Sequence, residues 1–206
     1  MHKIIIFTLV IFNIIYSIDN DKKNKVGIGL EWGIISAILS SEGAASLYFP
    51  MQINKTNINT GTTKGYMIEP EFFYNKSSRN IYYPMDSSLN YTEEEKTVGA
   101  ILGIYKLSKN QKMNKYYGIK LGYAVGTETP NYNLPGLIES NGIFISPAMG
   151  SEYFISDNFS IGGEIAVQYS QNEKEYPRES SLSGKAYTET TTATIIRPKF
   201  MVRFYF

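Results

Sequence analysis

The chain has 206 residues, a length that suits a single domain, and its 20 lysine and arginine residues nearly balance its 19 aspartate and glutamate residues. A nucleic-acid-binding protein would normally carry a basic surplus, so we expect no nucleic-acid partner. The absence of cysteine excludes a disulfide scaffold, a thiolate metal site and a cysteine nucleophile. Tyrosine (17), phenylalanine (11) and glycine (17) are abundant, which favours pleated strands.

The first 17 residues differ from the rest of the chain. A short positive start, Met1-His2-Lys3, precedes an apolar run from Ile4 to Ile15, and Tyr16-Ser17 leads into a polar stretch. The apolar run is shorter than the roughly 20 residues that a membrane-spanning helix needs. We therefore predict a secretory signal peptide over 1–17, cleaved near Ser17, followed by one domain over 18–206; a membrane anchor is the alternative.

The rest of the chain contains eight segments in which apolar and polar residues alternate. Alternation with period two places one side of a strand against an apolar phase and the other side against a polar one. Most of the segments reach the roughly 9–11 residues that a tilted membrane strand needs. They lie near 26–38, 44–53, 65–75, 96–107, 115–126, 142–155, 159–170 and 189–206. The sequence thus predicts an all-β fold, an eight-stranded antiparallel up-and-down transmembrane β-barrel.

The connections between these segments alternate in length over the second half of the chain. Residues 108–113 and 156–158 form short turns, whereas 127–141 and 171–188 form long loops, as does 75–95. Short turns at one end and long loops at the other are typical of outer-membrane barrels. Because proline gives no ladder donor, we expect bulges or strand ends at four prolines inside predicted strands: Pro50, Pro70, Pro147 and Pro198.

The last segment ends Arg197-Pro198-Lys199-Phe200-Met201-Val202-Arg203-Phe204-Tyr205-Phe206. Together with the signal peptide and the eight strands, this ending resembles the small OmpA/OmpX/OmpW-type outer-membrane barrels. The stretches Leu47-Tyr48-Phe49-Pro50, Ile68-Glu69-Pro70-Glu71 and Gly162-Gly163-Glu164 are similar to the families called outer membrane protein beta-barrel domain.

The resemblance covers the whole chain after the signal peptide. It implies location in the bacterial outer membrane and insertion by the barrel-assembly machinery, which in that family reads a last strand ending in phenylalanine. Phe206 and Phe204 would carry this assembly signal. The resemblance implies no particular activity, since such barrels host adhesins, enzymes, pores and purely structural proteins.

Charged residues fall on the predicted inward face of the barrel. The interior of an eight-stranded barrel is just wide enough for side chains to fill it, and unpaired charges there would be costly. We therefore predict a structural salt-bridge network in the lumen, with Glu31 and Glu164 flanking the basic row of the last strand, rather than an ion-selective path. Its predicted members are Glu31, Glu69, Glu71, Lys120, Glu152, Glu164, Arg197, Lys199 and Arg203.

No catalytic constellation stands out in the sequence. Glu69 and Glu71 lie two apart on one strand face, but a filled lumen offers no cleft for acid catalysis, and no histidine or cysteine assists metal binding. The single histidine, His2, falls within the predicted signal peptide, which disfavours imidazole-based hydrolysis. We expect no enzymatic activity and no cofactor.

The long loops are the remaining functional candidates, because tyrosine and arginine are favoured at interfaces. The residues concerned are Arg79, Tyr82, Tyr83, Tyr91, Tyr132, Tyr176 and Arg178. We expect a structural or adhesin-like role through these loops, with outer-membrane lipid, the assembly machinery and host or surface ligands as partners. Solvated, variable loops are the plainer interpretation.

Two other classes stay open. A narrow pore for small solutes would use the same fold, and a soluble lipocalin-like barrel would bind an apolar ligand inside. Lipocalins place apolar residues inward, whereas here the charged residues share a face with glycine and serine. The pattern therefore favours membrane insertion.

Overall fold

The computed structural model describes residues 25–31, 43–56, 63–81, 91–110, 112–129, 137–178 and 185–206. The predicted signal peptide over 1–17 lies outside these ranges. Nine β-strands make up the regular structure of the described residues: β1 (Lys25–Glu31), β2 (Gly43–Tyr48), β3 (Met51–Thr56), β4 (Thr63–Ile81), β5 (Tyr91–Asn110), β6 (Met113–Glu128), β7 (Ile138–Ser156), β8 (Phe159–Tyr176) and β9 (Tyr187–Tyr205). Within the same ranges, no helix is long and apolar enough to span a bilayer.

The nine strands form one antiparallel sheet that closes on itself. Strands β4 to β9 pair in chain order, and β2 and β3 both pair with β4 and with β1. Strand β1 also pairs with β9, from Gly27 opposite Tyr205 to Glu31 opposite Met201. This last pairing completes a ring. We call its two ends the turn end, where β5 meets β6 and β7 meets β8, and the loop end, opposite to it.

The single strand predicted over 44–53 is divided at Phe49 and Pro50. Strands β2 and β3 nevertheless keep one register against β4, since Tyr48 lies opposite Glu71 and Met51 opposite Ile68. The Phe49 amide donates to the Pro70 carbonyl at 2.8 Å. Pro70 has no N–H to donate the second hydrogen bond of this residue pair. The ladder between the strands is therefore weakened here, next to Pro50.

The other three strand prolines lie inside strands without bulges, and the expectation of a bulge or strand end there was wrong. Pro70 lies opposite Leu102, Pro147 opposite Ile119, and Pro198 opposite Ile165. A strand residue directs its N–H toward one neighbour only, so a proline removes one ladder bond and leaves the other side paired. The one register shift among the described pairings occurs between Phe154 and Ser156, beside the β7–β8 turn.

Several strands run further toward the loop end than predicted. Strand β4 continues to Ile81 and β5 begins at Tyr91, so residues 75–81 and 91–95 are strand rather than loop. Likewise β8 continues to Tyr176 and β9 begins at Tyr187. Outward residues are polar in these extensions, so the alternation that marks a half-buried strand is absent from the sequence there.

The inward and outward faces follow the alternation of each strand. On β6, for example, Ile119 and Leu121 are exposed on the outside while Lys120 between them is buried inside. In segment 142–155 both faces are largely apolar in sequence, and the structure distinguishes the inward face from the outward one. On β7, Glu152 is inward and buried, and Tyr153 is outward and exposed.

Candidate functional site: the charged interior of the ring

Five strands supply the charged side chains that form ion pairs inside the ring. These side chains occupy inward positions of β4, β6, β7, β8 and β9, because each strand turns every second side chain toward the interior. Seven of the nine predicted residues form two neighbouring clusters of ion pairs, which we together call the network: Glu69, Glu71, Lys120, Glu152, Glu164, Lys199 and Arg203.

Arg203 is the centre of the network on the side of the turn end. Its guanidinium is fully buried and pairs with Glu69 through Nη2 and with Glu152 through Nη1, the latter at 3.1 Å. The rings of Tyr48 and Tyr116 lie 5.4 and 5.2 Å from the guanidinium carbon. Two carboxylates and two aromatic faces therefore replace the water that this cation loses on burial.

Glu152 is held by neutral donors as well as by Arg203. Gln52 and Asn114 donate to its Oε1 at 2.6 and 2.7 Å, while Tyr205 and Ser160 donate to its Oε2 at 2.8 and 3.0 Å. These donors come from β3, β6, β9 and β8, so this carboxylate ties together strands from around the ring. Such saturation is what a buried carboxylate needs to remain ionised.

Lys120 and Lys199 form a second cluster nearer the loop end. The Lys120 ammonium lies 2.5 Å from Glu164 and 3.4 Å from Glu71. The Lys199 ammonium lies 3.0 Å from Glu71 and 4.1 Å from the centre of the Tyr48 ring. Glu71 thus bridges the two lysines and also accepts a hydrogen bond from Ser46.

The network contains four carboxylates and three cations, and its members are held by each other rather than by solvent. Replacing a whole buried ion pair with apolar residues is often neutral, but removing one partner typically costs about 3–5 kcal/mol. The arrangement therefore enforces one register and one set of inward side chains. Among the described residues, no group of three or more histidine, aspartate or glutamate side chains is placed to hold a metal ion.

Glu31 and Arg197, the other two predicted members, lie apart from these ion pairs. Both line a cavity of about 200 Å³ on the loop-end side of the second cluster, together with Lys120, Glu164 and Lys199. Glu31 is half-buried and Arg197 is exposed, and neither makes an ion pair with another residue in the described ranges. Both glutamates flank the basic row as predicted, since Glu164 lies opposite Lys199 and Glu31 opposite Met201. Within the described ranges neither forms an ion pair with that row, and Glu164 pairs with Lys120 instead.

Large side chains close the interior between the two clusters. These side chains are at most 2% exposed, and they are Tyr48, Met67, Tyr105, Leu107, Tyr116 and Met201. The Tyr105 and Tyr116 rings meet edge to face at 5.1 Å, and the Tyr105 hydroxyl donates to Glu164 at 3.0 Å. The interior is therefore a packed core at this level rather than an open passage.

Inward glycines provide the space for these aromatic rings. A Cβ at Gly29 would lie 1.8 Å from the Tyr48 ring, and a Cβ at Gly122 would lie 2.0 Å from the Phe144 ring. Neither distance is compatible with packing, so a glycine beneath each ring is a steric requirement. These two lumen glycines therefore serve packing.

The loop end carries ion pairs of a different kind, exposed to water. Glu94 lies 3.3 Å from Lys76 and 2.9 Å from Lys96, and the hydrogen bond from Lys96 holds the pKa of this carboxyl below its usual value. Lys174 lies 2.7 Å from Glu128, whose hydrogen bond raises the pKa of that ammonium. Exposed pairs of this type contribute little to stability.

The candidate loop residues are placed differently from the prediction. Arg79 and Tyr176 belong to strands β4 and β8, and Tyr91 begins β5, so none of the three is in a loop. Tyr176 stacks on Tyr187 at 4.5 Å and donates to Glu189 at 3.1 Å. Arg178 is exposed just beyond β8. Tyr82, Tyr83 and Tyr132 lie outside the described residues.

Sequence reasoning missed the neutral members of the network. Gln52, Asn114, Ser160 and Tyr205 all contact Glu152, yet only charged residues were selected as candidates. The alternation of the strands could have identified these four residues, since each of them occupies an inward position of its strand. Which of them meet is decided by the pairing of strands distant in the sequence.

No family model matches this sequence, and no curated protein is similar to it. Among solved structures, the chain is similar to a major outer membrane protein from Thermus thermophilus, with 13% identity and a TM-score of 0.46 over 89% of this chain and 98% of that one. A mutant porin from Rh. blastica gives 8% identity and a TM-score of 0.13 over 89% and 99% of the two chains. At these values the likeness is too slight to assign a family or a function.

Proposed function

We propose that this chain is a non-enzymatic, integral outer-membrane β-barrel of eight transmembrane strands, in which β2 and β3 together make up one strand. In this proposal a signal peptide over 1–17 directs export and the loop end faces outward from the cell. The observation that carries the proposal is a continuous belt of exposed apolar side chains around the outside of the ring.

The belt covers the outward faces of all the long strands. Its exposed members include Phe72, Val98, Leu102, Ile104, Ile119, Leu121, Val125, Ile143, Ile145, Met149, Ile165, Val167, Ile196, Phe200 and Phe204. The inside of the same segments holds the charged network. A water-soluble protein rarely exposes so large a continuous apolar surface, whereas a membrane barrel requires one.

Tyrosines lie at both margins of the belt. Tyr66, Tyr117 and Tyr153 are exposed on the outward face near the turn end, and Tyr74, Tyr123 and Tyr169 are exposed near the loop end. Tyr66 and Tyr74 lie eight residues apart on β4, and Tyr117 and Tyr123 lie six residues apart on β6. At about 3.3 Å per residue and the usual tilt, these separations correspond to heights of roughly 20 and 15 Å. Membrane barrels present an apolar band of roughly 25 Å with aromatic girdles at both edges, so the band between the tyrosines has the same arrangement but is shorter.

Beyond the loop-end girdle, the ladders continue with polar outward faces. On β5 these residues are Thr92, Glu94 and Lys96, and on β9 they are Thr188, Thr190 and Thr192. About six residues of strand would project some 20 Å along the strand direction from the bilayer surface. This polar wall and the loops that it carries are the surface that we propose for structural or adhesin-like contacts with host or surface ligands.

The packing of the interior bears on the two alternative classes. A lipocalin-like carrier needs an apolar cavity, whereas the interior here holds Arg203, Glu69 and other buried charges. A constitutive pore needs a continuous passage, whereas Tyr105, Tyr116 and Met201 fill the cross-section. Both observations favour a structural barrel over a carrier or a pore.

Fractionation and gel migration test the proposal. Expressed with its full N-terminus in a Gram-negative host, the protein should be recovered in the outer-membrane fraction and lack the 1–17 segment by mass spectrometry. Unheated samples should migrate differently from boiled samples on a detergent gel, because a closed barrel resists unfolding by detergent. Recovery of the folded protein from the soluble periplasmic fraction would contradict the proposal.

A further inference from the structure

Three lysines cluster on the outer wall at the turn-end margin of the apolar belt. Lys64 on β4, Ser108 on β5 and Lys115 on β6 form one row of paired residues. Lys106 lies two positions from Ser108 on the same face of β5, so its Cβ is about 7–8 Å from those of Lys64 and Lys115. All four side chains are exposed.

Two tyrosines of the girdle flank the middle lysine. Lys106 lies opposite Tyr66 on one side and Tyr117 on the other, and its ammonium is 5.9 Å from the centre of the Tyr117 ring. The site therefore combines three cations, a hydroxyl and two aromatic rings at the depth where lipid headgroups meet hydrocarbon. Tyrosine and lysine are favoured at this depth of a membrane.

The three positive charges are not neutralised by this part of the protein. Across the described residues, the outward positions of β4, β5 and β6 near the turn end hold no aspartate or glutamate, and none of the three lysines makes an ion pair. At the loop end, by contrast, Lys76 and Lys96 share Glu94. Like charges this close repel one another unless an anion lies between them.

We propose that Lys64, Lys106 and Lys115, with Ser108, bind the phosphate of an anionic phospholipid in the membrane leaflet at the turn end. Lysine ammonium groups and a hydroxyl are suitable donors for phosphate oxygens, and the acyl chains would lie along the apolar belt beside Tyr66 and Tyr117. The inference rests on the proposed membrane location, since without a bilayer the patch would meet only water.

Native mass spectrometry of protein released from nanodiscs containing equal amounts of phosphatidylglycerol and phosphatidylcholine tests this site. The unmodified protein should retain mainly phosphatidylglycerol. In the triple variant K64Q/K106Q/K115Q, the ratio of retained phosphatidylglycerol to phosphatidylcholine should fall by at least about five-fold, the effect of losing one lysine near an anionic headgroup. The triple arginine variant at the same positions should keep the preference.

A matched variant, K76Q/K96Q/K185Q, removes three charges at the loop end and should leave the ratio unchanged. If the glutamine variant at the patch keeps the full preference, or if the loop-end variant loses it equally, the proposed site is wrong. Heat-modifiable migration of every variant shows that it is folded. If the unmodified protein does not insert into these nanodiscs, the result would instead contradict the proposed membrane location itself.

Discussion

Arg203 and Glu69 form an ion pair at the centre of the ring, and neither side chain has any surface accessible to solvent. Arg203 comes from the last strand and Glu69 from β4, so the pair links strands that are not neighbours in the sheet. Because isolated charges would be prohibitively costly at this depth, the two residues require each other. The remaining partner of Arg203, Glu152, extends the link to β7.

Removal of Arg203 should destabilise the protein strongly. R203M leaves Glu69 and Glu152 buried without their cation, and we expect a loss of about 3–5 kcal/mol in the free energy of unfolding. Urea-induced unfolding in detergent micelles, followed by tryptophan fluorescence, measures the change. R197Q is the matched control, because Arg197 lies on the same face of β9 but is exposed and outside the ion pairs; its effect should stay within about 0.5 kcal/mol. Equal losses in both variants would contradict this account of the network.

A methyl group at Gly122 should be poorly tolerated. Its Cβ would lie 2.0 Å from the Phe144 ring, whereas a Cβ at Gly163 would meet nothing closer than 3.8 Å. We expect G122A to cost about 1–3 kcal/mol through overpacking, and G163A to be close to neutral. Thermal unfolding monitored by heat-modifiable migration would compare them. A double-mutant cycle with F144A tests the cause: G122A should cost less in the F144A background than in the unmodified protein, and an equal cost in both would mean that the ring is not the obstacle.

A charge at the middle of the belt should oppose insertion. Leu121 is exposed and lies halfway between Tyr117 and Val125 on β6. For L121R we expect about 2–4 kcal/mol less stability in lipid vesicles, and for T190R on the polar extension close to no change. Reversible unfolding in vesicles of a single lipid gives both values. If L121R were as stable as T190R, the belt would not face hydrocarbon.

The packed interior predicts an absence of ion conduction. Purified protein in planar bilayers should give no regular conductance steps, because Tyr105 and Tyr116 occupy the cross-section. The double variant Y105G/Y116G opens space in the same place and should give small steps if it remains folded. Regular steps from the unmodified protein would favour the pore instead.

The last residue can be tested apart from the rest of the strand. Phe206 is 78% exposed, and its backbone amide donates to the Val26 carbonyl at 2.9 Å. F206A keeps this backbone bond, so refolding in detergent should be unchanged. If the terminal aromatic is an assembly signal, the amount of F206A in the outer membrane of cells should fall several-fold. Equal amounts of F206A and the unmodified protein in the outer membrane would contradict a role of Phe206 as an assembly signal.

The alternation of residues was enough to predict the strands and most of their faces. Leu121 outside and Lys120 inside follow directly from period two, because a strand turns successive side chains to opposite sides. The same reasoning failed at the loop end, where Tyr176 and Arg79 belong to strands. Both faces of the strands are exposed to water there, and a strand sequence with two polar faces resembles a loop.

Sequence by itself determined that the interior would be charged, since Glu69, Glu71, Lys199 and Arg203 all lie opposite the apolar face of their strand. Only the tertiary structure decided which charges meet. Glu69 could have paired with any inward cation, and the register of β4 to β9 around the ring selects Arg203. It also leaves Arg197 at the cavity edge, two residues from Lys199 on the same face. Strand alternation is local, whereas ion pairing depends on the closure of the sheet, which joins residues more than a hundred positions apart.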